Sequence, residues 1–261
     1  MGSIADKVRT QVIRDLNSSD ADAVVGRNPS GDLTRRIDIE AEKTILSEFE
    51  KLQVPMFYIG EEISSEIGEN PTTFVVTDCV DGTLNAITGI PFFCTSIAVS
   101  STQRMSDVFV GLVMDLLRGD VFAATKDEGA SLNGKPIHVS EVSELSDSIL
   151  RVSFSYLETM AARSLFDLVS KAKNDRHLGS AALELCYVAS GFYQSFVDLR
   201  KRLRPTDLAA ACLIIKEAGG VVTSPFGGEL DCVLNSKSRL SIVASCDDGL
   251  HQEILSHLSI T

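Results

Sequence analysis

The chain has no Lys/Arg-rich tract of the kind nucleic-acid binders carry, no C-x-x-C pair and no apolar run long enough to span a bilayer, and each absence removes a class of function. A net charge of -12, from 24 basic and 36 acidic residues spread along the chain, argues against nucleic-acid partners, which are held by neutralising phosphates with basic side chains. Without a spanning run, or the charged-then-apolar opening of a signal peptide, a cytoplasmic protein with no membrane partner is expected. Asp6 stands where a myristoylation signal needs Ser or Thr, which disfavours a lipid anchor. The six cysteines, Cys79, Cys94, Cys186, Cys212, Cys232 and Cys246, are scattered through apolar text and read as buried thiols rather than zinc ligands or disulfides. No repeat or low-complexity segment occurs.

What is present is a globular composition: 261 residues, 44% of them hydrophobic, enough for one large domain or two joined halves. Ile4, Val8, Val12 and Leu16 recur at helical spacing behind Ser3, with Asp6 placed to complete a capping box. A polar, turn-rich stretch from Asn17 to Asp32 reads as an exposed, mobile loop, and a second amphipathic helix follows through Ile37, Ala41, Ile45, Phe49 and Leu52. Strands are expected at Met56–Ile59, Phe74–Thr77, Thr95–Ser100, Val108–Met114, Val121–Thr125 and Pro136–Val139, forming an antiparallel sheet. Ser140–Ser148 is the candidate boundary between an N-terminal half, 1–140, and a C-terminal half, 141–261. The second half reads as strand 149–154, helices 156–171 and 180–190, strand 194–199, helix 207–218 with Thr206 as its cap, strands near 221–223 and 241–244, and helix 248–258. The class is α+β.

The informative passage is Asp78-Cys79-Val80-Asp81-Gly82-Thr83-Leu84-Asn85, where an apolar strand ends in two carboxylates and a small-residue turn. Carboxylates on such a turn can share hard cations, and Gly82 with Thr83 can point backbone amides at an anion. For one isolated Asp, turn or helix capping is the commoner role. Four further pieces shift that balance: Glu61 in Gly60-Glu61-Glu62 after a strand, Asp207 at a helix start in Arg204-Pro205-Thr206-Asp207, Asp38 in a first helical turn, and the small-residue run Gly179-Ser180-Ala181. An acidic protein that must bind an anion needs cations, because bound ions invert the local field. Gly129 to Lys135 imitates a phosphate loop, but Pro136 stands at the magnesium-binding Ser/Thr position and the flanks are strand-like, so Asn133-Gly134 is a hairpin turn. His138, His177, His251 and His257 show no metal spacing.

In order and sequence these pieces resemble the inositol monophosphatase/fructose-1,6-bisphosphatase superfamily over nearly the whole chain, with Glu128-to-Pro136 and Glu217-Ala-Gly-Gly220 similar to its hairpin and its late helix end. The resemblance implies a layered α-β-α-β-α sandwich and a Mg²⁺-dependent phosphomonoester hydrolase, with two or three Mg²⁺ per site and Mn²⁺ as a substitute. By resemblance, Glu61, Asp78 and the Val80 carbonyl hold one ion, Asp78, Asp81 and Asp207 a second, and a weaker third lies near Glu61. Thr83, bonded to Asp38, would help Glu61 deprotonate the metal-activated water, and the Gly82 and Thr83 amides would bind phosphate. Cys79 replaces the family's usual Pro, and Thr206 a common Trp. The run Asp198-Leu-Arg200-Lys201-Arg202-Leu-Arg204 looks like the archaeal-type bifunctional branch acting on fructose 1,6-bisphosphate and inositol phosphates. Next to Asp207, the cluster Arg200, Lys201, Arg202 and Arg204 reads either as a grip for a distal phosphate or as a solvated charged loop, with Arg176 a further candidate, and the resemblance implies sugar hydroxyls bound by Ser180 and Asp198. A homodimer acting on a small sugar or polyol phosphate follows. Inositol-selective, nucleotide 3′-phosphate and NADP(H) phosphatases, and a non-catalytic metal-bound regulator, are the alternatives.

Overall fold

The structure is a computed structural model and describes residues 1–258. Helices α1 (Gly2–Leu16) and α2 (Arg36–Glu50) lie side by side as one outer layer. Their buried positions, Ile4, Ala5, Val8 and Val12 on one and Ile37, Ala41, Ile45 and Phe49 on the other, form the apolar stripes that the helical spacing predicts. Those stripes pack on an eight-stranded sheet built from β3 (Met56–Ile59), β4 (Ser64–Ile67), β5 (Thr73–Asp81), β6 (Cys94–Ser100), β7 (Val108–Asp115), β8 (Val121–Thr125), β9 (Gly129–Leu132) and β10 (Lys135–Ile137). Its order is β10-β9-β8-β7-β6-β5-β3-β4, antiparallel except where β3 runs parallel to β5. A short helix, α3 (Thr83–Thr88), follows β5 directly.

On the other face of that sheet lie α5 (Ala181–Ala189) and α6 (Pro205–Glu217). Every residue of α6 from Pro205 to Ile215 is buried, as befits a helix apolar on all sides and covered on all sides. Beyond them is a five-stranded sheet of β11 (Ile149–Val152), β12 (Asn174–Arg176), β13 (Ser195–Leu203), β14 (Val221–Thr223) and β15 (Leu240–Ser245), ordered β12-β11-β13-β15-β14. Helices α4 (Thr159–Lys171) and α7 (Asp248–His257) close its outer face. Three cores therefore join five layers, the middle one filling both faces of the α5–α6 layer, in an α-β-α-β-α sandwich. The middle core takes residues from both sides of 140–148.

Several local expectations are corrected. Residues 17–32 are not simply a loop: β1 (Val24–Arg27) pairs antiparallel with β2 (Leu33–Arg35) in a hairpin. The short strands β4 and β12 were not anticipated, being polar sheet edges. Met1 rather than Ser3 occupies the N-cap of α1, with no side-chain cap bond, and Arg204 rather than Thr206 that of α6. The Asn133-Gly134 turn joins β9 to β10, with Leu132 opposite Lys135 and φ of +52° and +74°, the two-residue hairpin that excludes a phosphate loop. No described helix is long and apolar enough to cross a membrane. The six thiols are free, and all but the half-buried Cys232 are buried.

Candidate active site

Three residues apart on a regular strand, Asp78 and Asp81 would face opposite sides of the sheet. In β5 the register slips between them: Asp78 pairs with Ser96 and Asp81 with Cys94. One extra residue is thus accommodated on β5, a bulge that returns both carboxylates to one face. Gly82 then turns the chain into α3 at φ +96°, and a Cβ there would sit 3.1 Å from the Phe92 carbonyl oxygen and 3.2 Å from Ser180 Cβ. Only glycine satisfies both the backbone angle and the contact.

Glu61 arrives from the loop after β3. Beneath it the buried Glu42 of α2 accepts the backbone amides of Glu62 and Ile63 at 2.8 Å each. A Cβ on Gly60 would lie 1.7 Å from Glu42 Oε1, so the loop folds over that carboxylate only with glycine at this point. Asp38, in the first turn of α2, meets the Thr83 hydroxyl at 2.8 Å, and the same hydroxyl lies 2.9 Å from the Val80 carbonyl. Asp207, third in α6, accepts the Arg204 backbone amide at 2.9 Å, and the Thr206 hydroxyl at 3.1 Å. Its usual end-of-helix bond therefore coexists with a place in the site.

The electrostatics identify these acids as one cluster. Burial, then the charges of Glu61, Asp81 and Asp207, pushes Asp78 well above the carboxylate range. Burial with Asp207 raises Asp81 to about 7, and burial raises Asp38 to about 7. Glu61 rises to about 8 through burial and the charges of Asp207 and Asp38, although Arg204 opposes the rise. Burial also raises Asp207, again against Arg204. The Arg204 guanidinium reaches Glu61 and Asp32, and Arg239 reaches Asp32 at 3.6 Å, fewer positive charges than acids. A donor set of carboxylates and a carbonyl, short of positive charge, fits hard divalent cations. Among the described residues no three His, Cys, Asp or Glu side chains stand close enough together to hold a metal ion as they are placed.

Asp81 is aimed from across the molecule. Its Oδ2 accepts the Ser180 hydroxyl and the Ala182 amide, both at 2.7 Å, at the start of α5. Ser180, expected to bind a sugar hydroxyl, is fully buried and gives its hydroxyl to Asp81. Asp198 is likewise fully buried, held by Arg151 at 3.0 Å and by Arg200 at 2.5 Å, leaving no exposed carboxylate for a substrate hydroxyl.

The basic run divides because β13 bulges against β15. Asp198 pairs with Ile242 and Leu203 with Leu240, which pushes the residues between them out of the ladder. Arg200 folds back onto Asp198 and lines a cavity of about 450 Å³ with Asp81, Asn85, Arg151, His177 and Asp207. Lys201 is exposed at φ +52°, and Arg202 stacks 4.3 Å from the Tyr156 ring centre. Arg204 joins the acid cluster instead of a distal phosphate. Arg176, exposed on edge strand β12, donates to the Asp175 carbonyl and does not line the cavity.

Sequence reasoning missed Glu42, Arg151, Glu184 and the cavity position of His177. For Arg151 and Glu184 the signal is a lone charge inside an apolar strand and an apolar helix, which burial demands be paired.

Matching a family of phosphatases over nearly its whole length, the protein is a phosphoric monoester hydrolase. The chain belongs to the inositol monophosphatase family, whose model matches residues 3–260. It is 37% identical over 98% of its length, and 94% of the relative's, to a fructose-1,6-bisphosphatase/inositol-1-monophosphatase of Methanothermobacter thermautotrophicus. A fructose-1,6-bisphosphatase of Pyrococcus furiosus is 34% identical over 98% of this chain and 95% of its own. The crystal structure of an inositol monophosphatase–fructose 1,6-bisphosphatase superposes with a TM-score of 0.86 at 30% identity, covering 98% of this chain and 97% of the other.

Proposed function

We propose that this phosphatase hydrolyses fructose 1,6-bisphosphate and inositol 1-phosphate with Mg²⁺, as the archaeal-type bifunctional relatives are named for doing. In this reading Glu61, Asp78 and the Val80 carbonyl hold one ion, Asp78, Asp81 and Asp207 another, and Glu61 borders a weaker third. Bound there, the ions supply Lewis-acid activation of water and neutralise the leaving alkoxide. The chain's own groups do the rest. Glu61 takes the proton from the attacking water, Thr83 and Asp38 fix the direction of attack, and the Gly82 and Thr83 amides hold the phosphate oxygens. Cations held there would compete with the Arg204 guanidinium for the Glu61 carboxylate.

The observation that carries the reading is the cavity that joins Asp81 and Asp207 to Arg151, Arg200 and His177. It offers a phosphate-hydrolysing end and a guanidinium wall. Because Arg200 and Arg151 are offset by Asp198 and Glu184, the wall is close to neutral, which favours inositol hydroxyls as a second fit beside a distal phosphate. A Mg²⁺-dependent phosphate-release screen over sugar bisphosphates, inositol phosphates, nucleotide phosphates and NADP tests this. The expected result is release from fructose 1,6-bisphosphate and inositol 1-phosphate, with Arg200→Ala harming the bisphosphate more. Release from nucleotide substrates alone would reject the assignment. A cytoplasmic homodimer accompanies this reading, and light scattering in solution decides the subunit number.

A further inference from the structure

Arg151, which borders the cavity from β11, is 1% exposed, so most of its guanidinium faces the protein interior and not the substrate. Its guanidinium forks between two fully buried acids: Nε meets Glu184 Oε2 at 2.9 Å and Nη1 meets Asp198 Oδ2 at 3.0 Å. Its plane lies 4.1 Å from the centre of the Phe196 ring. A guanidinium keeps its charge at any working pH and has a rigid fork, so it fixes the direction of both carboxylates in a way an ammonium cannot.

Each carboxylate passes that direction on. Glu184 uses its other oxygen, Oε1, to accept the Leu178 amide at 2.7 Å. The Leu178 carbonyl accepts Asn85 Nδ2 at 2.6 Å, so the Leu178–Gly179–Ser180 turn is gripped from both sides. A Cβ on Gly179, at φ +92°, would lie 3.1 Å from the same Asn85 nitrogen, which shows how closely the turn is seated. The turn ends in the Ser180 hydroxyl and the Ala182 amide that converge on Asp81 Oδ2. On the other branch, Asp198 accepts Arg200 Nε at 3.0 Å and Nη2 at 2.5 Å, setting that side chain into the cavity wall.

We infer that Arg151 is a positioning residue that aligns, through Glu184 and the Leu178–Ser180 turn, the Asp81 carboxylate for its cation and, through Asp198, the Arg200 wall for the substrate. The inference rests on the reading of Asp81 as a cation ligand. Groups one bond behind a ligand commonly change metal affinity or activity by about 10- to 100-fold when altered. The two branches separate in function: the Glu184 branch governs cation affinity, the Asp198 branch substrate affinity.

The test uses the full chain, with Mn²⁺ as the probe and its unbound signal followed by electron paramagnetic resonance. Melting curves check that each variant folds. Glu184→Gln is expected to weaken Mn²⁺ binding by about 10-fold, Ser180→Ala by a similar factor, and the double variant by no more than either alone, because both act on Asp81 through one path. Asp198→Asn is expected to keep Mn²⁺ affinity while raising KM for fructose 1,6-bisphosphate, and Arg151→Lys to show both defects in milder form. Should Arg151→Lys fail to fold, the two carboxamide variants still decide the matter. Unchanged Mn²⁺ affinity in Glu184→Gln, full multiplication of the two single effects, or equal Mn²⁺ loss in Asp198→Asn would overturn the inference. A wild type that binds Mn²⁺ but releases no phosphate would instead reject the proposed substrates, with the Mn²⁺ series still judging the Glu184 path.

Discussion

Two buried groups of acids lie within this molecule, and they have opposite electrostatic fates. At the end of β5 and the start of α6, Asp78, Asp81 and Asp207 are raised in pKa, first by burial. Across the cavity, Asp198 is just as deeply buried, yet Arg200 and Arg151 overcome that burial and hold it below the usual carboxylate range. The second group carries its own cations. The first has only Arg204 reaching Glu61 and waits for charge from outside. Burial alone therefore does not mark a site; a deficit of positive charge among buried acids does.

The largest expected effect lies in the deficient group. Glu61→Gln or Asp81→Asn should lower turnover by about 10²- to 10⁴-fold, the range seen when a positioned proton acceptor or its support is lost, while circular dichroism stays unchanged. Full activity in either variant would erase the distinction between the two groups. Next comes the self-neutralised group, where Arg151→Met leaves Glu184 without a charged partner and Asp198 with Arg200 alone. Breaking a buried pair in this way costs about 3–5 kcal/mol, measurable by urea unfolding, and a loss below 1 kcal/mol would show the pair is not the support it is taken for.

A smaller effect sharpens the contrast through pH. Asp81 in the metal-free protein has its pKa raised by burial and Asp207 from the ordinary 3.8 to about 7. A raised folded value gives stability that is present at low pH and lost as pH climbs through the folded pKa. The melting temperature in EDTA should thus fall from about pH 4 to about pH 7 and level off above it, and Asp81→Asn should flatten that fall, whereas Asp198→Asn should lower stability across the range. The smallest effect concerns neither group. His251, seated between the Thr223 and Ser245 hydroxyls at 2.9 and 3.1 Å, is held below 6.5 by burial. Its contribution is present above the unfolded pKa and lost on acidification, so melting with Mg²⁺ present should drop modestly from pH 7 to pH 5, less so in His251→Asn.

Much of the acid cluster was legible because an apolar strand ending in Asp78 and Asp81 leaves few other uses for two carboxylates. The bulge that puts them on one face was not, since register belongs to β6 as much as to β5. Glu42 reads as one more solvent-facing helix residue until the Glu61 loop is seen folding over it. The hairpin of β1 and β2 reads as a loop in sequence because its strands are short and owe their order to contacts such as Ser30 with the Ser236 carbonyl. The basic run from Arg200 to Arg204 looked like one patch, and its division follows from a bulge in β13 that sequence periodicity does not reveal.

The central claim is that Asp81 and its neighbours form a cation site and not merely a buried acidic core. The most direct measurement is the melting temperature of wild type and Asp81→Asn at pH 8, each in EDTA and in Mg²⁺ at 100 times its dissociation constant. Binding at that excess stabilises by about 2.7 kcal/mol, or roughly 5–10 °C for a chain of this size. The predicted result is that rise in wild type and its near disappearance in Asp81→Asn. No rise in wild type, or an equal rise in both proteins, would contradict the account.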